Sequence, residues 1–311
     1  MNLATLKKTC LLIYCCISLS TAASFAQTNL SWWNEVHNWD GTTHWTQYMT
    51  YSTSFMGPNS IPVPELKKGV INNSLRFENG VTGYWSKGDD TYNIFQKLNV
   101  PIANDRIAMQ SWIVPIEYYK TDTATRDMRA ARKKSGEGIE GGDFYFATLI
   151  QLIQDKEKLP DVLLSLNFKT SSGTGIKNAR FTDASAYFFD ISFHKEYTIG
   201  QKTNKKLHLY ALTGVYIYQT HIPQYFQNDA LMLGLGTDLE FENHIISNQI
   251  ASYLGYLNIG DKPVVYRFEL EKKNEKKLKW NLKFEHGIQD YPFTSASFGL
   301  LYDIPLQLFP N

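Results

Sequence analysis

The segment Asp190-Ile191-Ser192-Phe193-His194 carries an acid, an alcohol and an imidazole at every second position. In an extended strand alternate residues share a face, about 7 Å per step, so these three side chains point together. A serine whose proton passes to a histidine that an acid orients is the arrangement of nucleophilic hydrolysis, and on a membrane barrel the substrate would be a lipid. Tyr187, Phe189, Ile191 and Phe193 form the opposite, apolar face. A lipid hydrolase must present its nucleophile on the side of the acyl chains, whereas this alternation puts the trio behind an apolar wall. The three residues are therefore expected to line a polar interior, and no residue is expected to be catalytic.

Other clusters have equally plain readings. Arg126, Arg129, Arg132, Lys133 and Lys134 crowd the connection over 120–142. Charge-assisted bonds from them to lipopolysaccharide phosphates are one reading, and a solvated external loop with a short helical turn is the favoured one. Trp32, Trp33, Trp39 and Trp45 lie within 14 residues, with His37 and His44 between them. An interfacial girdle or a plug on the periplasmic side suits them better than sugar stacking. With only Glu35 and Asp40 as further donors, the two histidines are not expected to hold a metal, and no cofactor is expected. The run Ser171-Ser172-Gly173-Thr174-Gly175 lies between two strand patterns, not before a helix, and so is a loop rather than a phosphate cradle.

The elements that must position these residues are strands. Val162, Leu164, Leu166 and Phe168 alternate with Leu163, Ser165 and Asn167, and Leu278, Trp280, Leu282 and Phe284 alternate with Lys279, Asn281, Lys283 and Glu285. Such runs recur at about 45–56, 90–100, 106–119, 143–153, 160–170, 184–197, 205–218, 229–241, 244–257, 262–271, 276–288 and 295–307. The connections between them alternate between a short class (101–105, 154–159, 198–204, 242–243, 272–275) and a generally longer one that includes 57–89 and 120–142. That is the pattern of an antiparallel transmembrane β-barrel with tight periplasmic turns and longer external loops; an even count of about 12 strands puts both termini in the periplasm. Aromatic residues near strand ends, Trp45, Tyr118, Tyr187, Tyr256 and Tyr302, suit a membrane interface. A secreted β-sandwich or soluble barrel is the competing architecture.

Lys7 and Lys8, an apolar run from Cys10 to Leu19, and the small-residue site Ser24-Phe25-Ala26 have the layout of a secretory signal peptide over 1–26. All three cysteines, Cys10, Cys15 and Cys16, fall inside it, so the exported chain has no thiol. The expected organisation continues with an aromatic-rich periplasmic segment over 27–44 and the barrel over 45–311. With 31 Lys and Arg against 30 Asp and Glu there is no basic face for nucleic acid, and 7 Trp, 19 Tyr and 18 Phe exclude a disordered chain.

Several stretches resemble a group of uncharacterised outer-membrane β-barrel proteins of Bacteroidetes-type bacteria. They are Met56-Gly57-Pro58-Asn59 through Pro64, Thr82-Gly83-Tyr84-Trp85-Ser86-Lys87-Gly88-Asp89, Val114-Pro115-Ile116-Glu117-Tyr118-Tyr119-Lys120, Ala179-Arg180-Phe181-Thr182-Asp183 and Gln227-Asn228-Asp229-Ala230. The resemblance implies an envelope location and carries over no catalytic residue.

The inner face is expected to be lined by Glu117, Lys169, Asp190, Ser192, His194, Asp238, Glu240, Arg267, Glu269, Lys279, Lys283 and Glu285. Both charge signs in a barrel narrower than a 16-strand porin would pair across the lumen, so a wide pore is not expected. The expected function is a narrow or gated solute channel of the outer membrane, against a closed structural or ligand-binding barrel and an outer-membrane lipid hydrolase. Expected partners are outer-membrane lipids, the barrel-assembly machinery and a small solute.

Overall fold

In the computed structural model the described residues are 29–72, 74–103, 106–199, 205–273 and 277–305. The expected signal segment, the chain end after 305 and residues 27–28 lie outside them. Of these, residues 29–38 belong to one compact unit and those from Trp39 onward to a second. In the first, helix α1 (Ser31–Val36) buries Trp33, whose ring lies 4.7 Å from that of His37.

The second unit is a closed antiparallel barrel. Its wall strands are β1 (Ser74–Ser86), β2 (Asp89–Ala103), β3 (Ile107–Thr121), β5 (Tyr145–Ile153), β6 (Asp161–Lys169), β7 (Ala186–Ile199), β8 (Lys205–Ile222), β9 (Tyr225–Glu240), β10 (His244–Leu254), β11 (Val264–Lys272), β12 (Leu278–Gln289) and β13 (Thr294–Pro305). Each pairs with its neighbours, β2 with β3 included, and β1 pairs with β13 from Ser74↔Pro305 to Trp85↔Thr294, which leaves the wall without an edge. A short strand β4 (Glu137–Glu140) extends β3 beyond the wall, next to helix α2 (Thr123–Met128). The first strand begins and the last one ends at the same end of the barrel, with the turns over 154–160 and 241–243. The connections over 122–144, 170–185 and 255–263 lie at the other, here termed the loop end.

The alternation decides the faces. On β7 Tyr187, Phe189, Ile191 and Phe193 are exposed while Ala186, Phe188, Asp190, Ser192 and His194 are buried. The same outward exposure holds for Leu166, Leu231, Leu233, Leu235, Leu282 and Leu300, and continues around the whole wall. A closed barrel with its apolar faces outward and its polar faces inward is the inverse of a soluble one and requires lipid outside. The barrel reading thus holds and the soluble alternatives fall.

One strand of the sequence reading is displaced. Residues 45–56 are not a wall strand: Trp45–Tyr48 is a 3-10 turn, and the first strand lies in the stretch 74–86, expected to be loop. On β1 Asn79 and Gly83 share the outward parity of Phe77, Val81 and Trp85, so its alternation in sequence is weak. The aromatic residues of 45–56 belong instead to a segment that enters the barrel.

Candidate functional site

Residues 51–72 run through the lumen as a single strap, turned over 52–61 and extended over 62–68. Pro58, Pro62 and Pro64 lack the N–H that a ladder needs, which keeps the strap out of the sheet. At the loop end Ser52 Oγ donates to the Ile259 carbonyl (2.8 Å) and Gly57 N–H to the Ala179 carbonyl (2.8 Å). Deeper, Asn59 donates to Glu117 of β3 (2.7 Å). Near mid-wall Arg267 of β11 donates to the carbonyls of Val63 (2.7 Å) and Pro64 (3.0 Å). Lower still Glu65 pairs with Lys97 (2.7 Å), Lys67 donates to Gln110 (2.8 Å) and Lys68 pairs with Asp238 (2.8 Å). At the turn end Gln151 donates to the Gly69 carbonyl (2.8 Å) and accepts from Ile71 N–H (3.0 Å), and Ile71 packs with Ala108, Ala147, Leu149 and Leu163. The strap therefore spans the barrel, and wall side chains bond its backbone at Ile61, Val63, Pro64, Gly69 and Ile71.

Trp45 lies at the loop end, under the Arg132 guanidinium (5.0 Å), and Tyr51 packs on His221 (4.8 Å). The chain passes these residues at the loop end, crosses the lumen, and only then enters the wall at the turn end.

The basic loop is a structural element. Arg126 and Arg129 are buried, not solvated: Arg126 pairs with Asp127 and donates to the Lys134 carbonyl, and Arg129 pairs with Asp89. The expected helical turn is α2, whose cap Asp122 accepts from Thr125 N–H. That bond holds the Asp122 carboxyl below its usual range. In the adjoining loops Arg180, fully buried, donates to Asp89 (2.8 Å), Glu117 (2.7 Å) and Thr91 (2.8 Å) and stacks over Tyr119. Gly57 of the strap lies directly on it; a Cβ there would stand 2.6 Å from Arg180 Cζ. Asp143, pushed up by burial, pairs with Lys169 (2.7 Å).

The residues assigned to the inner face have the following partners. Glu117 accepts from Arg180 and Asn59, and Lys169 donates to Thr182 as well as pairing with Asp143. Asp238 accepts from Tyr210 and Lys68, and Glu240 from His208 and Lys273. Arg267 pairs with Glu285, Lys279 with Asp303 (2.8 Å), Lys283 with Glu78 (2.9 Å), and Glu269 accepts from Asn281 (2.9 Å). Sequence reading missed the strap's Glu65, Lys67 and Lys68 and their partners Lys97 and Gln110. The signal was Pro-punctuated polarity between two strand patterns, which marks a loop as readily as a strap.

Asp190, Ser192 and His194 do not form a catalytic triad. Ser192 Oγ donates to Asp190 (3.3 Å), but His194 is engaged by Asp161 of β6 (2.9 Å) and His208 of β8 (3.0 Å), so the serine has no base. Among the described residues no group of three or more His, Cys, Asp and Glu is arranged to hold a metal ion.

Beside the strap a cavity of about 1010 Å³ remains. It touches Asn59, Tyr84 and Asn93 toward the loop end and Arg76, Asp155 and Glu240 toward the turn end, and its wall carries both charge signs.

No protein-family model matches the sequence, and no curated protein does. Among solved structures the COG4313 outer membrane channel from Pseudomonas putida F1 is 8% identical, with 78% of this chain and 100% of that one covered and a TM-score of 0.54. The fold is that of an outer-membrane β-barrel. The transport unit of the autotransporter AIDA-I from Escherichia coli (9% identical, 82% and 100% covered, TM-score 0.47) and the KdgM porin (10%, 73% and 99%, 0.46) also match, too loosely to add to that.

Proposed function

We propose that the protein is a gated channel of the outer membrane for small polar solutes, closed in this state by its own strap over 51–72. The observation that carries the reading is the cavity of about 1010 Å³ that follows the strap from Asn59 to Glu240 along a wall where charged groups of both signs, Arg76, Glu78, Lys97 and Asp238 among them, alternate with apolar ones. A closed structural barrel gains nothing from keeping charged groups along an open space, whereas a path for polar solutes uses them. Hydrogen bonds and ion pairs that water can replace at modest net cost tie the strap to the wall, while its buried Met56, Ile61, Leu66 and Ile71 keep it in the lumen, so the path opens by a shift of the strap rather than by its expulsion. That the structural neighbour from Pseudomonas putida is described as a channel supports the reading. Outer-membrane lipids, assembly by the barrel machinery, export by a signal over 1–26 and membership of the Bacteroidetes-type group belong to the same proposal.

The test is single-channel conductance of the refolded protein in planar bilayers, beside Arg267→Ala/Lys68→Ala and a variant lacking residues 29–66. The unaltered barrel should be mostly closed with brief small steps. Loosening the strap should raise the open fraction, and removing it should give larger, steady steps. Absence of conductance in all three would favour the second reading, a closed structural or ligand-binding barrel, for which the anchoring of the strap at both ends speaks.

A further inference from the structure

We propose that His194 and His208 together form a single-proton site that latches the turn-end foot of the strap. His194 Nδ1 lies 2.9 Å from Asp161 Oδ2, His194 Nε2 3.0 Å from His208 Nδ1, and His208 Nε2 3.0 Å from Glu240 Oε2. The two rings stack, 5.2 Å apart and 20° from parallel. Ionised carboxylates accept at both ends of this row, so each outer ring nitrogen carries a hydrogen. The three links then need three ring hydrogens, and two neutral imidazoles supply two. The middle link is made when the pair holds one further proton, shared between Nε2 and Nδ1. With that proton gone, two lone pairs face each other at 3.0 Å; with another added, two N–H groups do.

The separation fits a proton rather than a metal ion. Two nitrogens on a tetrahedral zinc, each ~2.0 to 2.1 Å from it, stand about 3.3 Å apart. The charged groups around the pair come from every adjoining element. Asp161 belongs to β6 and Glu196 to β7, with Glu196 Oε2 3.9 Å from His208 Nδ1 and paired with Lys206 of β8 (2.9 Å). Glu240 and Asp238 of β9 are paired with Lys273 and with the strap's Lys68. Lys195 is turned away and donates to the carbonyls of Lys156, Glu157 and Leu159.

The strap rests on this row. Gly69 has φ +70°, and a Cβ on it would stand 2.4 Å from His194 Cβ and 3.1 Å from His194 N. On its other side the same foot is held by Gln151 of β5. A shift of His194 on breaking the middle link therefore acts directly on the foot, whether or not the barrel conducts.

The chain without residues 1–26 has no cysteine, so single cysteines can be placed at Ile71 in the foot and, in a second protein, at Ser60 near the loop end, both buried. Each maleimide labelling rate in the refolded barrel is divided by the fraction of that thiol ionised at the same pH, measured by its ultraviolet thiolate absorbance, and the two corrected rates are compared as a ratio. The ratio should pass through a minimum as pH is varied and rise about tenfold on either side of it, as loss of one charge-assisted bond implies. In His208→Gln the ratio should not vary with pH. A flat ratio in the protein with both histidines, or the same profile in His208→Gln, would overturn the proposal. Nitrogen-15 NMR of the unsubstituted barrel gives a check independent of any variant: three ring hydrogens on the pair at the minimum are expected, and two would refute the shared proton. A ratio lowered by added zinc at constant pH and restored by a chelator would likewise refute it, in favour of a metal.

Discussion

Arg180 shows how one side chain ties wall, loop and strap. It is buried between Asp89 and Glu117, and Gly57 of the strap closes over it. Breaking a buried pair costs more than the pair is worth, because the partner charges stay buried. Arg180→Ala should lower unfolding stability in detergent by ~3 to 5 kcal/mol in urea titrations; a loss under ~1 kcal/mol would show that water reaches the site. Asp122 acts more locally, as the cap of α2. Asp122→Ala should weaken that turn by ~1 kcal/mol, read as faster amide exchange at Thr125. Its carboxyl is depressed in the folded state, so the contribution is present above the ordinary value of 3.8 and is lost as pH falls through the lower folded value. Exchange at Thr125 in the unsubstituted protein should accordingly quicken only below about pH 4.

The strands set how much each face tolerates. Leu233 is exposed on the outer face near the middle of β9, and an arginine there must enter hydrocarbon. Leu233→Arg should cost ~2 to 4 kcal/mol in bilayer refolding titrations, against less for Asn99→Arg, which would meet the polar cavity. Equal costs would mean that the faces are reversed. Gly234, next on the same strand, faces inward: a Cβ there would stand 2.5 Å from Leu66 Cδ1 of the strap. Gly234→Val should leave the wall intact, seen as unchanged heat-modifiable gel mobility, and displace the strap, seen as a larger open fraction in bilayers.

For the molecule as a whole, the strap's direction fixes which end the segment before it reaches. The longer connections of outer-membrane barrels face outward, and the turn over Asp40–Thr43 lies in the unit whose strap starts at that end. An epitope inserted after Gly41, where φ is +81° and a Cβ would meet nothing, should be bound by antibody on intact cells. Binding only after permeabilisation would place the loop end in the periplasm.

The sequence by itself determined the wall. Two-residue periodicity repeats eleven times with the right parity, because lipid on one side and a polar lumen on the other impose the same alternation on every strand. It was legible enough to put Asp190, Ser192 and His194 behind Phe189 and Ile191. Only the tertiary structure decided what fills the lumen. Residues 57–72 have no periodicity, since a single chain surrounded by wall contacts on all sides has no preferred face. The strap's hydrogen-bond partners, Arg267 and Gln151 among them, lie up to 207 positions away in sequence. His194 likewise reads as part of a local trio with Ser192, and it is the lateral pairing of β6, β7 and β8 that turns it toward Asp161 and His208 instead. Register between strands is set by closure of the whole ring, which no local pattern encodes.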